Sequence, residues 1–124
     1  MNALILVAHG SHRSASNREV EQLGDALRAQ SGGRFARVSV AFLEFATPSI
    51  AEAIEEVVAA GAREVTLLPY FLTAGNHVVR DVPAALEAGR RRHPNVAFRL
   101  TAYAGSAKQI PALLLDVVHA SEGA

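Results

Sequence analysis

The sequence contains no cysteine, so disulfide bonds and thiolate metal ligands are both excluded. Any metal ion that binds must therefore use histidine or carboxylate ligands. Twelve basic residues balance twelve acidic ones, and this zero net charge argues against a broad nucleic-acid-binding face. No apolar run approaches the roughly 20 residues of a membrane helix, and the first ten residues do not resemble a secretory signal. We therefore expect a cytoplasmic protein that binds neither nucleic acid nor membrane.

Turn residues and apolar runs divide the chain into alternating strands and helices. With 124 residues, half of them hydrophobic, it is long enough to bury one core, so residues 1–124 are expected to form a single domain. Strands are predicted at residues 2–8, 35–43, 65–71 and 96–103. Pro69 is expected to mark the point where pairing of the third strand ends.

The helix boundaries are predicted from capping residues. Thr47 is expected to cap the second helix, with Pro48 in its first position. The third helix has two possible starts, since it can begin near Asn76 and kink or be capped by Asp81. Ser106 is expected to cap the fourth helix, whose inward face would carry Ile110, Leu113, Leu114 and Val117.

This alternation predicts an α/β fold with a parallel sheet, right-handed crossovers and helices on both faces. The first and third strands are continuously apolar, as central strands are, whereas the second and fourth alternate, as edge strands do. The simplest strand order is therefore 2-1-3-4. Such a sheet has a topological switch point between strands one and three, where ligands bind beyond the carboxyl ends of the strands.

Three potential metal ligands follow the predicted strands near this switch point. His9 follows the first strand, Glu44 the second, and His77 comes a few residues after the third. Two imidazoles and a carboxylate suit Co²⁺, Fe²⁺, Ni²⁺ or Zn²⁺, and a neutral imidazole can instead accept a proton from a ligand. Each residue also has a simpler interpretation, as part of a turn, as a helix cap or as a solvated side chain.

Further polar residues lie close to the two histidines in the sequence. Arg13 and Arg80 flank them and can pair with carboxylates of a substrate. Both can equally be solvated loop residues. His12 is either a substrate contact or an exposed loop histidine.

Three segments, LILVAHGSHRSASN, VAFLEFATPSI and LLPYFLTAGNHVVRDVP, resemble the small sirohydrochlorin chelatases. These class II chelatases insert cobalt or iron into sirohydrochlorin without ATP. The resemblance runs from about residue 3 to about residue 118 and implies a chelatase-like half-module. It implies that His9 and His77 are the catalytic and metal-binding pair, and that Glu44 belongs to the metal site.

The resemblance also implies a substrate and an assembly. Loop donors such as Ser11, His12, Arg13 and Arg80 would receive the carboxylates of sirohydrochlorin or a close derivative. The metal would be a substrate, with Co²⁺ expected first and Fe²⁺ or Ni²⁺ as alternatives. Longer relatives contain two fused halves, so a chain of this length is expected to form a homodimer around the large macrocycle.

Two other functions are compatible with parts of the sequence. A non-catalytic carrier of metal or tetrapyrrole would use the same crevice without turnover. The segment LVAHGS resembles the LVRHG start of histidine phosphatases, but Ala8 stands where that class has its arginine. No glycine-rich phosphate loop is present, so no nucleotide is expected.

Overall fold

Four parallel strands form the centre of the structure, a computed structural model that describes residues 1–123 apart from the side chains of residues 77–79. Their order is β2-β1-β3-β4, which confirms the predicted order 2-1-3-4 and the α/β class. The second, third and fourth strands are shorter than predicted, the two edge strands most of all, because pairing stops before the apolar pattern does. The strands are β1 (Asn2–Ala8), β2 (Arg37–Phe42), β3 (Glu64–Pro69) and β4 (Ala97–Leu100).

Helices pack on both faces of this sheet. Helices α2 (Ile50–Ala59) and α3 (Asn76–Arg92) enclose the main core, which includes Ile5 and Val65. Helix α1 (Ser14–Gln30) packs on the other face, where a Cβ at Gly24 would lie 3.1 Å from Val40. Buried apolar residues thus line both sides of β1, as its continuously apolar sequence predicted.

The end of β3 follows the prediction made from Pro69. This residue is the last of the strand and pairs with Val7. Proline has no backbone N–H to donate to the ladder, so regular pairing does not continue beyond it. The N–H of Tyr70 still donates to the carbonyl of Val7 at 2.7 Å, which holds the following loop against β1.

The predicted start of α2 was wrong, because Ser49 rather than Thr47 caps this helix. The Ser49 hydroxyl accepts a hydrogen bond from the Glu52 N–H at 3.1 Å, and the Glu52 carboxylate accepts one from the Ser49 N–H at 2.9 Å. This reciprocal pair is a capping box. The carbonyl of Pro48 instead accepts a hydrogen bond from the N–H of Phe42, so residues 47 and 48 belong to the turn after β2.

Of the two possible starts of the third helix, the structure has the earlier one. Helix α3 begins at Asn76, preceded by Gly75, and contains Pro83 in its interior. Asp81 is therefore an exposed residue inside the helix rather than its cap. The early start places the N-terminal turns of α3 at the carboxyl end of the sheet, where the candidate ligands were predicted.

The predictions for the last helix were wrong in two respects. Ser106 lies in a short 3₁₀ helix (Ala104–Ser106), where its hydroxyl donates to the carbonyl of Tyr103, and Gln109 precedes α4 (Ile110–Glu122). None of the residues of α4 is buried, although its sequence predicted an inward apolar face. The residues expected to face inward are Ile110, which is half-buried, and Leu113, Leu114 and Val117, which are more than half exposed.

No helix in the described part of the chain combines the length and the hydropathy needed to cross a membrane.

An ion-pair cluster joins α2 to the end of α3 and makes stability depend on pH. Glu55 accepts two hydrogen bonds from Arg92, at 3.0 and 3.3 Å, and also pairs with His93. The bonds from Arg92, followed by the contact with His93, lower the Glu55 pKa from its ordinary 4.5 to about 2. A carboxyl group whose pKa is lower in the folded state than in the unfolded state stabilises the fold. This stabilisation is complete above the pKa of the unfolded state and is lost as the pH falls through the pKa of the folded state.

Glu55→Gln is therefore expected to lower the melting temperature at pH 6 and to have little effect near pH 2. Between pH 6 and pH 2, the difference in melting temperature between wild type and variant should shrink from about pH 4.5 downwards, because that is the ordinary pKa of the carboxyl group. Circular dichroism melts across this range provide the measurement. The adjacent exposed Glu56→Gln is the control, and an equal effect of both substitutions would contradict a specific role of Glu55.

Candidate functional site

The loops after β1 and β2 bring His9 and Glu44 together at the carboxyl edge of the sheet. Ala8 pairs with Phe42 at the end of the ladder, and hydrogen bonding continues one step further, from the Glu44 N–H to the His9 carbonyl at 2.9 Å. The His9 Nε2 atom then lies 3.1 Å from Glu44 Oε2. The parallel register thus converts two residues that are 35 positions apart in the sequence into one polar pair.

This pair is accessible to a ligand. The side chains of His9 and Glu44 are 51% and 47% exposed, so both reach solvent while their backbones are fixed. An imidazole and a carboxylate can hold a divalent metal of the first transition series. They can also act together in proton transfer, because the carboxylate orients the ring and balances the charge it gains.

Gly10 allows the two loops to approach so closely. Its φ is +95°, and a Cβ at this position would lie 1.8 Å from the carbonyl oxygen of Glu44. Only glycine combines this conformation with this contact. The glycine of the His-Gly pair is therefore a structural requirement for the proximity of His9 and Glu44.

A clamp formed by Ser11 and Asn17 fixes the remainder of the first loop. The Asn17 side chain accepts a hydrogen bond from the Ser11 N–H at 3.0 Å and donates one to the Ser11 carbonyl at 2.9 Å. The Ser11 hydroxyl accepts from the N–H of Arg13 at 3.0 Å. Sequence reasoning missed Asn17, because the only signal was a polar side chain in the first turn of α1.

An aromatic cluster adjoins the polar pair. The ring of Phe45 stands edge-on to His9 with centroids 6.3 Å apart, and it stacks at a tilt of 39° against His12 with centroids 4.0 Å apart. Sequence reasoning also missed Phe45, although an aromatic residue directly after Glu44 was visible in the segment LEF. The cluster places His12 next to the loop that carries Glu44.

The structure gives the positions of two other predicted site residues but does not describe the side chain of the third. Arg13 immediately precedes α1 and is exposed, and Arg80 is exposed within α3. The side chain of His77 lies outside the described residues, so its predicted role as second imidazole stays a prediction. Among the residues whose side chains are described, no three His, Asp or Glu side chains form a group that could hold a metal ion.

Curated sirohydrochlorin chelatases are similar in sequence to most of the chain. A sirohydrochlorin cobaltochelatase from Methanococcus maripaludis is 38% identical over 86 residues, which cover 69% of this chain and 58% of that protein. A chloroplastic sirohydrochlorin ferrochelatase from Arabidopsis thaliana is 32% identical over 118 residues, covering 95% of this chain and 50% of that protein. The chain thus spans little more than half the length of these curated relatives.

Solved structures share the fold. The chain superposes with a TM-score of 0.82 on a protein from Marinobacter aquaeolei VT8 described as a CbiX protein of cobalamin biosynthesis, at 28% identity over 99% of this chain and 98% of that one. The cobalt complex of the sirohydrochlorin chelatase SirB from Bacillus subtilis subspecies spizizenii gives 0.72 at 23% identity, over 80% of this chain and 42% of that one. This second likeness concerns the fold alone. The CbiX family model matches residues 3–121, and the chain therefore belongs to the CbiX family.

Proposed function

We propose that the protein inserts a divalent metal, Co²⁺ first and Fe²⁺ or Ni²⁺ as alternatives, into sirohydrochlorin or a close derivative without a nucleotide. The observation that carries this proposal is the His9–Glu44 pair, which stands half-exposed at the carboxyl edge of the sheet. Relatives named sirohydrochlorin cobaltochelatase and ferrochelatase support the choice of substrate and metals. The proposal also places the reaction in the cytoplasm, as expected from the sequence.

The reaction requires both a metal site and a proton acceptor. Each divalent ion that enters the macrocycle replaces two pyrrole protons, so the site must hold a cation and accept protons in turn. In the proposed mechanism His9 and His77 would hold the incoming metal over the ring. One of them accepts the first pyrrole proton as it releases the metal to the macrocycle, and the second proton passes to water. Glu44 adds a third metal ligand or balances the positive charge of protonated His9 at 3.1 Å.

The carboxylates of the substrate would be recognised by the loops that surround this pair. Arg13 and Arg80 supply exposed cationic groups that can form charge-assisted hydrogen bonds to carboxylates. Ser11 and His12 supply further polar groups on the loop that Asn17 clamps in position. A clamped loop has little conformational freedom to lose when it binds the substrate.

Absorbance spectra of anaerobic sirohydrochlorin with Co²⁺, recorded with and without protein, test the proposal directly. A chelatase shifts the macrocycle spectrum faster than the uncatalysed reaction and completes many turnovers per subunit. A carrier, the second candidate, would bind metal or sirohydrochlorin stoichiometrically without forming further product. This outcome would refute catalysis. Repeating the assay with Fe²⁺ and Ni²⁺ ranks the metals.

We further propose that the protein acts as a homodimer in which α4 contacts the second subunit. Five large apolar side chains of α4 are between 51% and 62% exposed. Four of these, Leu113, Leu114, Val117 and Val118, follow the half-buried Ile110 at the spacing i+3, i+4, i+7 and i+8, which places the set on one side of the helix. An apolar stripe of this length is typical of a helix that packs against protein.

A complementary surface lies on the sheet face that α1 only partly covers. Ala97 and Arg99 of β4 are exposed there, and Leu68 of β3 is half-buried. A groove of about 330 Å³ runs beside α1, lined by Ser16, Glu19, Val20, Leu23 and Tyr70. In a doubly wound sheet a helix after β4 would cover this face, so α4 of a second copy can supply the missing layer.

Leu114→Glu combined with Val117→Glu is expected to convert a dimer into monomers. The two charges would have to be buried in the proposed interface, which is strongly unfavourable without partners. Light scattering coupled to size-exclusion chromatography measures the mass. Ala59→Glu, an exposed position at the end of α2, is the control and should leave the dimer intact. A monomeric wild-type protein would refute the assembly.

A further inference from the structure

Exposed large hydrophobic residues outside α4 concentrate at one edge of the molecule. Among the described residues they are Met1, Phe45, Tyr70 and Leu72, the last three being 41–68% exposed. Phe45 follows the carboxyl end of β2, while Tyr70 and Leu72 follow that of β3. Three of these four residues thus lie at the edge that carries His9 and Glu44, as expected where an apolar ligand binds next to a few polar groups.

Phe45 differs from its neighbours in backbone conformation. Its φ is +65°, and it is the only residue other than glycine in the described part of the chain with a positive φ. A bulky side chain is unfavourable in this left-handed region, where glycine or asparagine is more readily accommodated. Residues in such conformations concentrate at functional sites, because the surrounding structure must hold them there.

The ring of Phe45 contributes little to the core. The residue is 55% exposed, and its described ring contacts are with the site residues His9 and His12. A phenylalanine is usually retained because its ring is buried in the core. Phe45 has an unfavourable backbone conformation, and its ring lies largely outside the core. Its value to the protein must therefore lie in what its exposed surface contacts.

We propose that Phe45 is a substrate-contacting residue whose ring packs against the face of the tetrapyrrole macrocycle beside His9. The aromatic plane of the ligand offers the surface that an exposed ring prefers, through offset or edge contacts. Glu44 and Phe45 are consecutive, so the loop after β2 would present a carboxylate to His9 and an apolar ring to the macrocycle. This inference rests on the proposed function, since it requires sirohydrochlorin as the ligand.

Phe45→Gly separates this role from a structural one. Glycine accepts a positive φ and removes the ring, so the variant should melt at the wild-type temperature or above it. Its dissociation constant for metal-free sirohydrochlorin, measured by anaerobic absorbance titration, is expected to rise about tenfold. Phe45→Tyr keeps the ring and should bind within about twofold of wild type, as an aromatic contact requires. Phe35→Ala removes a ring before β2, at the opposite edge, and should leave binding unchanged.

Each outcome decides between the alternatives. Weaker binding by Phe45→Gly without a lower melting temperature supports the contact. Unchanged binding overturns it, and so does weaker binding accompanied by a lower melting temperature, because the ring would then serve the fold. If wild-type protein does not bind sirohydrochlorin at all, the proposed function fails, and this result is distinct from failure of the Phe45 contact alone.

Discussion

His9→Ala is expected to lower kcat for Co²⁺ insertion into sirohydrochlorin by at least about 100-fold, the lower end of what a positioned proton acceptor contributes. The substitution removes the imidazole that lies 3.1 Å from Glu44, and with it the proposed metal ligand and proton acceptor. The fold should be unaffected, because the His9 side chain is half-exposed. The absorbance assay at saturating substrate gives kcat, and circular dichroism verifies the fold.

Two companion variants make this result specific to the site. Glu44→Gln keeps a hydrogen-bonding group beside His9 but removes the negative charge, so a smaller loss of about tenfold is expected. His119→Ala removes an imidazole that is 72% exposed on α4 and is not part of the proposed site or of the apolar stripe, and it should retain wild-type kcat. Retention of more than a tenth of the activity by His9→Ala would exclude His9 as the proton acceptor or essential metal ligand.

Gly10→Ala is expected to destabilise the protein by about 3 kcal/mol or more, within the range of backbone strain combined with a steric clash. A Cβ at this position would lie 1.8 Å from the Glu44 carbonyl oxygen, which cannot retreat easily. The Glu44 N–H is bonded to the His9 carbonyl, and the strand ends are fixed in the sheet. Relief of the clash must therefore separate the two loops and the His9–Glu44 pair with them.

Gly61→Ala provides a matched control for this prediction. Gly61 has a φ of +105°, close to the +95° of Gly10, but a Cβ there would have no heavy atom within 4 Å. Its substitution should cost about 1 kcal/mol, from the conformational preference alone. Urea unfolding gives both free energies. If Gly10→Ala is no more destabilising than Gly61→Ala, the close approach of the loops is not rigid.

Local sequence patterns predicted the sheet well and the ends of the helices less well. The apolar runs fixed β1 and β3 as central strands, and Pro69 marked the end of pairing. Thr47 and Ser49 are both suitable helix caps, and the structure uses Ser49. The hydrogen bond from the Phe42 N–H to the Pro48 carbonyl places residues 47 and 48 in the turn, and capping preferences do not reveal this contact. The apolar stripe of α4 was visible in the sequence, but its exposure in the folded chain was not.

The same division applies to the candidate site. His9 and Glu44 could be predicted to meet, because the carboxyl ends of adjacent parallel strands lie at one edge. Phe45 could not be identified, since its proposed role rests on a positive φ and on ring contacts with His9 and His12. Asn17 was missed for a similar reason, as its two hydrogen bonds to Ser11 depend on the exact path of the loop.

The sequence by itself determined the strand order and the edge of the sheet where the chemistry would lie. Hydrophobic burial acts on every residue of a strand, so its pattern survives in the sequence whatever the details of the turns. The tertiary structure alone decided that His9 and Glu44 are 3.1 Å apart, that Phe45 contacts two histidines, and that no residue of α4 is buried. These features depend on contacts between distant segments, whose geometry no local pattern records.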